Sequence, residues 1–235
     1  MERWPKALLA LVRSLSPRAE FAIVIIAAFG VFIVRSTLAI PFASQPTVEG
    51  WSGFAELAIE ETLIGLLVGC FLAARGWRFS DLGFDQPRLA DLGSALGLFA
   101  SAYLVTYVFW NLLPQPSREH LAFGRLQLAN ANFDPLLLLV VSVINALYEE
   151  VFVCAYVLSA WRGKSMWDAI TISALIRLSY HTYQGPLAVI TIAPLGIVFA
   201  WFYATRGRVW PLVFAHAFAD FLYLLAAYSV TEDGS

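Results

Sequence analysis

The sequence predicts an all-α protein, a polytopic bundle of about seven transmembrane helices, and three observations predict it. Apolar residues make up 60% of the 235-residue chain and charged residues only 14%, with a mean hydropathy of +0.71. Soluble domains carry about a quarter charged residues. The apolar residues fall in runs of about 20, the length that crosses the hydrocarbon core of a bilayer as a helix. The basic residues sort to one side of these runs.

The elements follow in order. Residues 1–19 form a basic N-terminal segment, in which "WPKALLALVRSL" either lies along a membrane surface as a short amphipathic helix or serves only as a topology signal. It is not expected to be a cleavable signal peptide, because the first long apolar run starts near residue 21 and no small-residue cleavage site follows it. A single transmembrane domain then covers residues 20–230. Its predicted helices span residues 21–40, 54–74, 89–113, 136–161, 167–183, 187–205 and 209–228. Asp134 as N-cap and Pro135 at the first helical position open the fourth. Ser165 and Asp168 in "SMWD" form a capping-box pattern that opens the fifth, and Gly185 with Pro186 closes it. Gly65/Gly69 and Gly93/Gly97 permit close helix approach. The long loops are 75–88 and 114–134.

With the N-terminus in the cytoplasm, eleven of the 15 Lys and Arg residues fall on the cytoplasmic side. Arg118 and Arg125 fall on the other side, and Arg35 and Arg177 within helices. This positive-inside sorting predicts an N-in, C-out topology. No basic patch points to nucleic acid as a partner. Cys70 and Cys154 both lie inside predicted helices, without metal spacing, so no disulfide is expected.

Ionisable groups inside a membrane face the bundle interior or a water-filled cavity. They are expected here in the core helices, residues 135–228. Asn145, Glu149 and Glu150 sit mid-membrane in the fourth helix. Arg177 and His181 are four apart in the fifth, and His216 and Asp220 four apart in the last, so each pair shares a helix face. Two Glu, two His and one Asp on three crossings of an apolar chain point to one shared site. Carboxylates and neutral imidazoles are the usual ligands of a catalytic zinc. A buried Glu can act as general base on water, and His groups can stabilise an oxyanion. Hydrolysis of a peptide bond inside the membrane fits the set, while HExxH, GxSxG and GxGD signatures are absent. A proton- or ion-coupled transporter would use similar residues. That reading is weakened by the absence of internal repeats, since Pro194 and Gly196 interrupt the sixth run with no counterpart elsewhere.

Three motifs in order resemble the CPBP family of intramembrane metalloproteases, also called the CAAX-protease and abortive-infection family, in a bacterial branch. "EEVFVC" at 149–154 is similar to its EExxxR motif, "RLSYHTYQG" at 177–185 to its second, His-bearing motif, and "HAFAD" at 216–220 to its HxxxN or HxxxD motif. "FSDLGF" at 79–84 resembles the loop before the core, so the likeness covers residues 79–225. The resemblance implies an intramembrane endopeptidase with Glu149 as general base and Glu150 orienting it or sharing its proton. His181 and His216 would bind a metal or stabilise the oxyanion, with Asp220 as ligand or orienter. The implied ligand set is Glu149, His181, His216 and Asp220 around Zn2+, or no metal with a glutamate-type mechanism. The resemblance also implies membrane lipids and a peptide or membrane-anchored protein as partners, in a bacterial plasma membrane, with the site open to the cytoplasm.

Two residues depart from the family. Cys154 stands where it usually has Arg, and Arg177 where it often has Phe. Either Arg177 supplies the missing cation from the next helix, or the site has decayed and the chain is an inactive membrane scaffold or immunity-type partner. Asn145 is read as a structural hydrogen-bonding group, and Tyr180 and Tyr183 as cavity lining or interface anchors. At about 1.5 Å per residue, His216 should lie roughly 10 Å, the glutamates roughly 17 Å and His181 roughly 22 Å from the cytoplasmic helix ends. One site requires helix tilt or staggered helix starts to level these depths.

Overall fold

The computed structural model describes residues 3–42, 47–49, 51–113, 126–128, 134–185 and 187–232. Arg118, Arg125 and Pro186, used above for topology and helix ends, lie outside these residues. The chain is a helix bundle. α1 (Arg3–Ser14) precedes α2 (Pro17–Ala39), α3 (Trp51–Arg75) and α4 (Leu89–Leu112). A long helix then runs through Pro135–Ala160, beginning as α5 (Pro135–Glu149). α6 (Met166–Ser179), α7 (Leu187–Arg206) and α8 (Trp210–Glu232) complete the bundle. Among the described residues, five helices are long and apolar enough to cross a membrane. Two three-residue strands, Thr47–Glu49 (β1) and Leu126–Leu128 (β2), form one parallel pair between the helices, the sole departure among these residues from an all-helical chain.

The two N-caps read from the sequence are present. Asp134 caps α5 by accepting from Leu136 N (2.8 Å), with Pro135 in the first turn. Ser165 caps α6 by accepting from Asp168 N (3.3 Å). The N-terminal segment is helical, and Leu8 and Leu11 of α1 are more than 60% exposed, as on a helix lying against an apolar surface. The 135–160 helix is the hub: 56% of its apolar window is buried, against 17–22% for the other spans. Of the small-residue pairs, only Gly65 faces a close neighbour, since a Cβ there would lie 3.5 Å from the Tyr148 ring; one at Gly69, Gly93 or Gly97 would meet nothing within 4 Å. Both cysteines are free.

Two elements differ from the sequence reading. The 135–160 helix is not uniform, because Glu150–Tyr156 is a π-helical segment that begins at the second of the paired glutamates. α6 ends at Ser179, a full turn before the predicted end at residue 183. It is followed by a 3₁₀ turn, Thr182–Gln184. Tertiary hydrogen bonds take the chain off the helix there. Ser36 Oγ of α2 accepts from Tyr183 N (2.9 Å) and bonds Thr182 Oγ1 (2.8 Å). Fourteen residues reach about 21 Å, short of the roughly 30 Å of a hydrocarbon core, so the turn after α6 sits at membrane depth.

The basic end of the bundle is closed by the 76–88 loop. Glu20 is buried and accepts from Arg75 Nε, Trp77 Nε1 (2.8 Å) and Tyr156 Oη (3.3 Å), fastening α2 to α3 and the hub. Asp81 O accepts from Ser159 Oγ (2.8 Å) and Arg162 Nη2 (3.0 Å), and Arg208 Nη2 pairs with Asp91 (2.6 Å). Gly83 makes the docking possible: its φ is +75°, its carbonyl accepts from Val209 N (3.2 Å), and a Cβ there would lie 2.4 Å from Gly207 O. Gly83→Ala is therefore expected to destabilise the protein by at least about 2 kcal/mol, from left-handed backbone strain plus the clash. Gly97→Ala, in open helix, should be neutral or stabilising by up to about 1 kcal/mol. Thermal unfolding of the two variants in detergent measures both.

Candidate active site

The site is built around a buried cation. Arg177 projects from α6, is 2% exposed, and donates from Nη1 to Glu149 Oε2 (3.0 Å) and from Nη2 to Glu150 Oε1 (2.7 Å). Room for its stem comes from α7, where a Cβ at Gly196 would lie 3.1 Å from Arg177 Cδ. Glu149 and Glu150 are neighbours in sequence, about 100° apart on an α-helix, yet both reach the one guanidinium. Their junction is where the helix passes from α to π geometry, and π-bulges commonly mark functional sites. Within the π segment Val153 O accepts from Ser173 Oγ of α6 (2.6 Å), which ties the widened turn to the helix that carries Arg177.

The two glutamates are not equivalent. Glu150 is 0% exposed; its Oε1 also accepts from His216 Nδ1 (2.7 Å), and its Oε2 is buried without a hydrogen-bond partner. Glu149 keeps 6% exposure, and its Oε2 accepts from both Arg177 and Tyr180 Oη (2.7 Å). Tyr180 stacks on Phe29 of α2, with ring centroids 4.9 Å apart. Glu150 thus anchors the network, and Glu149 faces what space there is.

His216 of α8 bridges two acids, with Nδ1 on Glu150 and Nε2 3.5 Å from Asp220 Oδ2. Asn145 Nδ2 donates to Asp220 Oδ2 (2.8 Å). Glu149, Glu150 and His216 bring ligand-type atoms within 4.8 Å of one another. The depth difference read from the sequence is levelled for these residues and for Arg177 and Asp220.

His181 is placed differently from its expected position on the α6 face. It follows the last helical turn, with its ring between Tyr180 (4.6 Å) and Tyr183 (6.1 Å). Its Nδ1 donates to Arg177 O (2.9 Å), which leaves Nε2 as the acceptor. It lies in electrostatic range of Glu149 and His216 and outside the three-residue cluster.

Two residues were missed or underread. Tyr180 touches Glu149 directly and is more than cavity lining. Glu61 of α3 is buried at 4% exposure and lies in electrostatic range of Glu149, Asp220 and His216. The ionisable groups inside the membrane are therefore not confined to residues 135–228. The signal was there: "EET" at 60–62 places a pair of acids in an apolar run, as "YEEV" does at 148–151.

An apolar groove of about 440 Å³ lies between α4, α5 and α8. On α8 it is lined by Ala215, Phe218 and Phe221, the face turned away from His216, so it does not open onto the acids.

Removing the cation alone leaves Glu149 with only the Tyr180 hydroxyl and Glu150 with only His216. Arg177→Met should cost about 3–5 kcal/mol at neutral pH. Combining it with Glu149→Gln and Glu150→Gln should restore most of the loss, because neither position then carries a charge that lacks the guanidinium. Thermal unfolding of the single and triple variants checks the pair.

Residues 131–222 match the family model described as type II CAAX prenyl endopeptidase Rce1-like. The matched segment contains the paired glutamates, Arg177, both core histidines and Asp220, and leaves α1–α4 outside. No curated protein and no solved structure matches the chain. Through this segment, with its acids and histidines on helices of one buried network, the chain is similar to the type II CAAX prenyl endopeptidases that the family model describes.

Proposed function

We propose that the protein is an intramembrane endopeptidase that hydrolyses a peptide bond of a membrane-associated peptide or protein with water activated by Glu149. The observation that carries this reading is the mid-membrane network Glu149–Arg177–Glu150–His216, closed to lipid and built on three helices. Its water supply has a structural basis. Non-helical backbone at membrane depth is tolerated only where it is buried in protein or lines a water-filled cavity, and the turn after α6 carries His181 to that depth beside Tyr180 and Glu149.

In this reading Glu149 takes a proton from water as the oxygen attacks the scissile carbonyl. Arg177 and Tyr180 hold its carboxylate in place, and His181 Nε2 accepts a hydrogen bond from the same water. His216 Nε2 serves the developing oxyanion, with Glu150 and Asp220 fixing its ring. The donor set does not fit a zinc ion well. Two oxygens of the acidic pair already accept from Arg177, His216 turns Nδ1 to Glu150, and His181 and Asp220 fall outside the compact trio. A dication at the trio would sit beside the guanidinium that both glutamates already pair with, and repulsion between the two cations disfavours it, so we favour the glutamate-type mechanism. The inactive-scaffold alternative drew on Cys154, and a guanidinium from Arg177 removes that argument by supplying the charge from α6.

In this reading the closed end, rich in Lys and Arg, faces the cytoplasm together with the N-terminus, and the membrane is a bacterial plasma membrane. A prenylated C-terminus, the substrate class in the matching family's description, is one member of the proposed class of membrane-anchored substrates.

The test compares the protein termini of membranes and secreted peptides between cells carrying wild type and cells carrying Glu149→Ala at equal expression. A defined set of termini found only with wild type, and still produced by membranes treated with a zinc chelator, is the expected result. Identical profiles would reject the peptidase reading, and termini lost on chelation would reject the metal-free mechanism.

A further inference from the structure

The reading above gives no role to the fourth carboxyl near the site, Glu61. It sits in the middle of the buried stripe of α3, with Ala58, Val68 and Leu72 on the same side. One turn along, at Gly65, a Cβ would lie 3.5 Å from the Tyr148 ring and 3.7 Å from Phe152. α3 therefore packs directly on the stretch of the hub that carries Glu149. Glu61 senses the charges of Glu149, Asp220 and His216, and its Oε2 is buried with no hydrogen-bond partner among the described residues.

Charge balance fixes its state. Glu61, Glu149, Glu150 and Asp220 share one guanidinium, and that guanidinium is engaged by Glu149 and Glu150. His216 lies between Glu150 and Asp220. Glu61 has no ion-pair partner among the described residues. An unpaired carboxylate in such a medium costs several kcal/mol, so the carboxyl without a cation is the one that remains a neutral acid. Its neighbour Glu60 shows the contrast: it pairs with Arg35 at 2.5 Å, and the Arg35 side chain is 62% exposed.

We propose that Glu61 is the acid partner of Glu149, a neutral carboxyl on α3 that donates the proton taken by the leaving nitrogen. This rests on the peptidase reading. The proton balance closes. Water gives its hydroxyl to the acyl carbon and a proton to Glu149. As the C–N bond breaks, the nitrogen takes the Glu61 proton and Glu61 becomes a carboxylate. Transfer of the proton from Glu149 to Glu61 through water restores both groups. Two carboxyls in different surroundings, one paired with a cation and one without, divide base and acid between them.

Two measurements test this. Infrared spectroscopy of the purified protein in lipid nanodiscs, without substrate, should show a protonated-carboxyl C=O band at neutral pH that shifts in D₂O and is missing from Glu61→Gln. A band unchanged in Glu61→Gln overturns the proposal. In cells, Glu61→Gln preserves shape and neutrality but cannot give up a proton, so the wild-type-specific termini should fall about 100-fold or more. Glu61→Asp should retain part of the yield, and Glu60→Gln all of it. Wild-type yield from Glu61→Gln would sink the donor role while leaving the peptidase reading intact. If wild type and Glu149→Ala give the same termini, the peptidase reading fails and the donor role with it. Equal thermal unfolding of Glu61→Gln and wild type excludes misfolding as the cause of a loss.

Discussion

The structure depends on one buried charge. Two adjacent carboxylates in the middle of a membrane would each cost several kcal/mol if left alone, and the guanidinium of Arg177 is what allows both to be there. The constraints around it follow from that need. Gly196 on α7 is small because the arginine stem passes 3.1 Å from where its Cβ would be. The hub changes to π geometry at Glu150, where two neighbouring side chains must serve one cation. Ser173 satisfies a carbonyl of that widened segment from the helix that also delivers Arg177. His216 then takes the remaining direction of Glu150 Oε1.

The proposed hydrolysis requires water at the acids, and a full-length helix beside them would keep it out. α6 is too short to cross, and Ser36 holds the turn that follows. Polar backbone at that depth, with His181, Tyr180 and Thr182 on it, is stable only next to protein or water. The opposite, basic end is sealed by the 76–88 loop through Glu20, Asp81, Gly83 and Arg208. The same fold thus keeps the charged network rigid from below and leaves an irregular, polar layer above it.

Much of this was legible in the residues, for physical reasons. Helix length follows from apolar run length, which is why the spans from Trp51 to Arg75 and Leu89 to Leu112 lie within a few residues of expectation. Caps are local, so Asp134 and Ser165 could be read from neighbouring residues alone. Side chains four apart share a face, so the His216–Asp220 pair was visible in advance. The π segment was not visible, because no local residue pattern distinguishes it from α-helix; it arises from the demand of Arg177. The early end of α6 was hidden for a similar reason, since the residue that ends it, Ser36, is 146 positions away from Thr182. Glu61 was overlooked although the argument that found Glu149 and Glu150 applies to it unchanged. Its helix lies outside the three motifs that carry the family resemblance.

Arg177 and Cys154 show why a motif and the physics beneath it can part. The motif records an arginine five residues after the first glutamate, on the same helix. What the acids require is a guanidinium within about 3 Å, from any direction that packing allows. Cys154 is fully buried and lies close enough to Arg177 for each to feel the other, so positions 154 and 177 face the same space from two helices. An arginine at both would place two cations on one acidic pair, and one at neither would leave that pair unneutralised. The cation that the acids need therefore comes from α6, and position 154, which faces the same space, carries a buried thiol in place of a second cation.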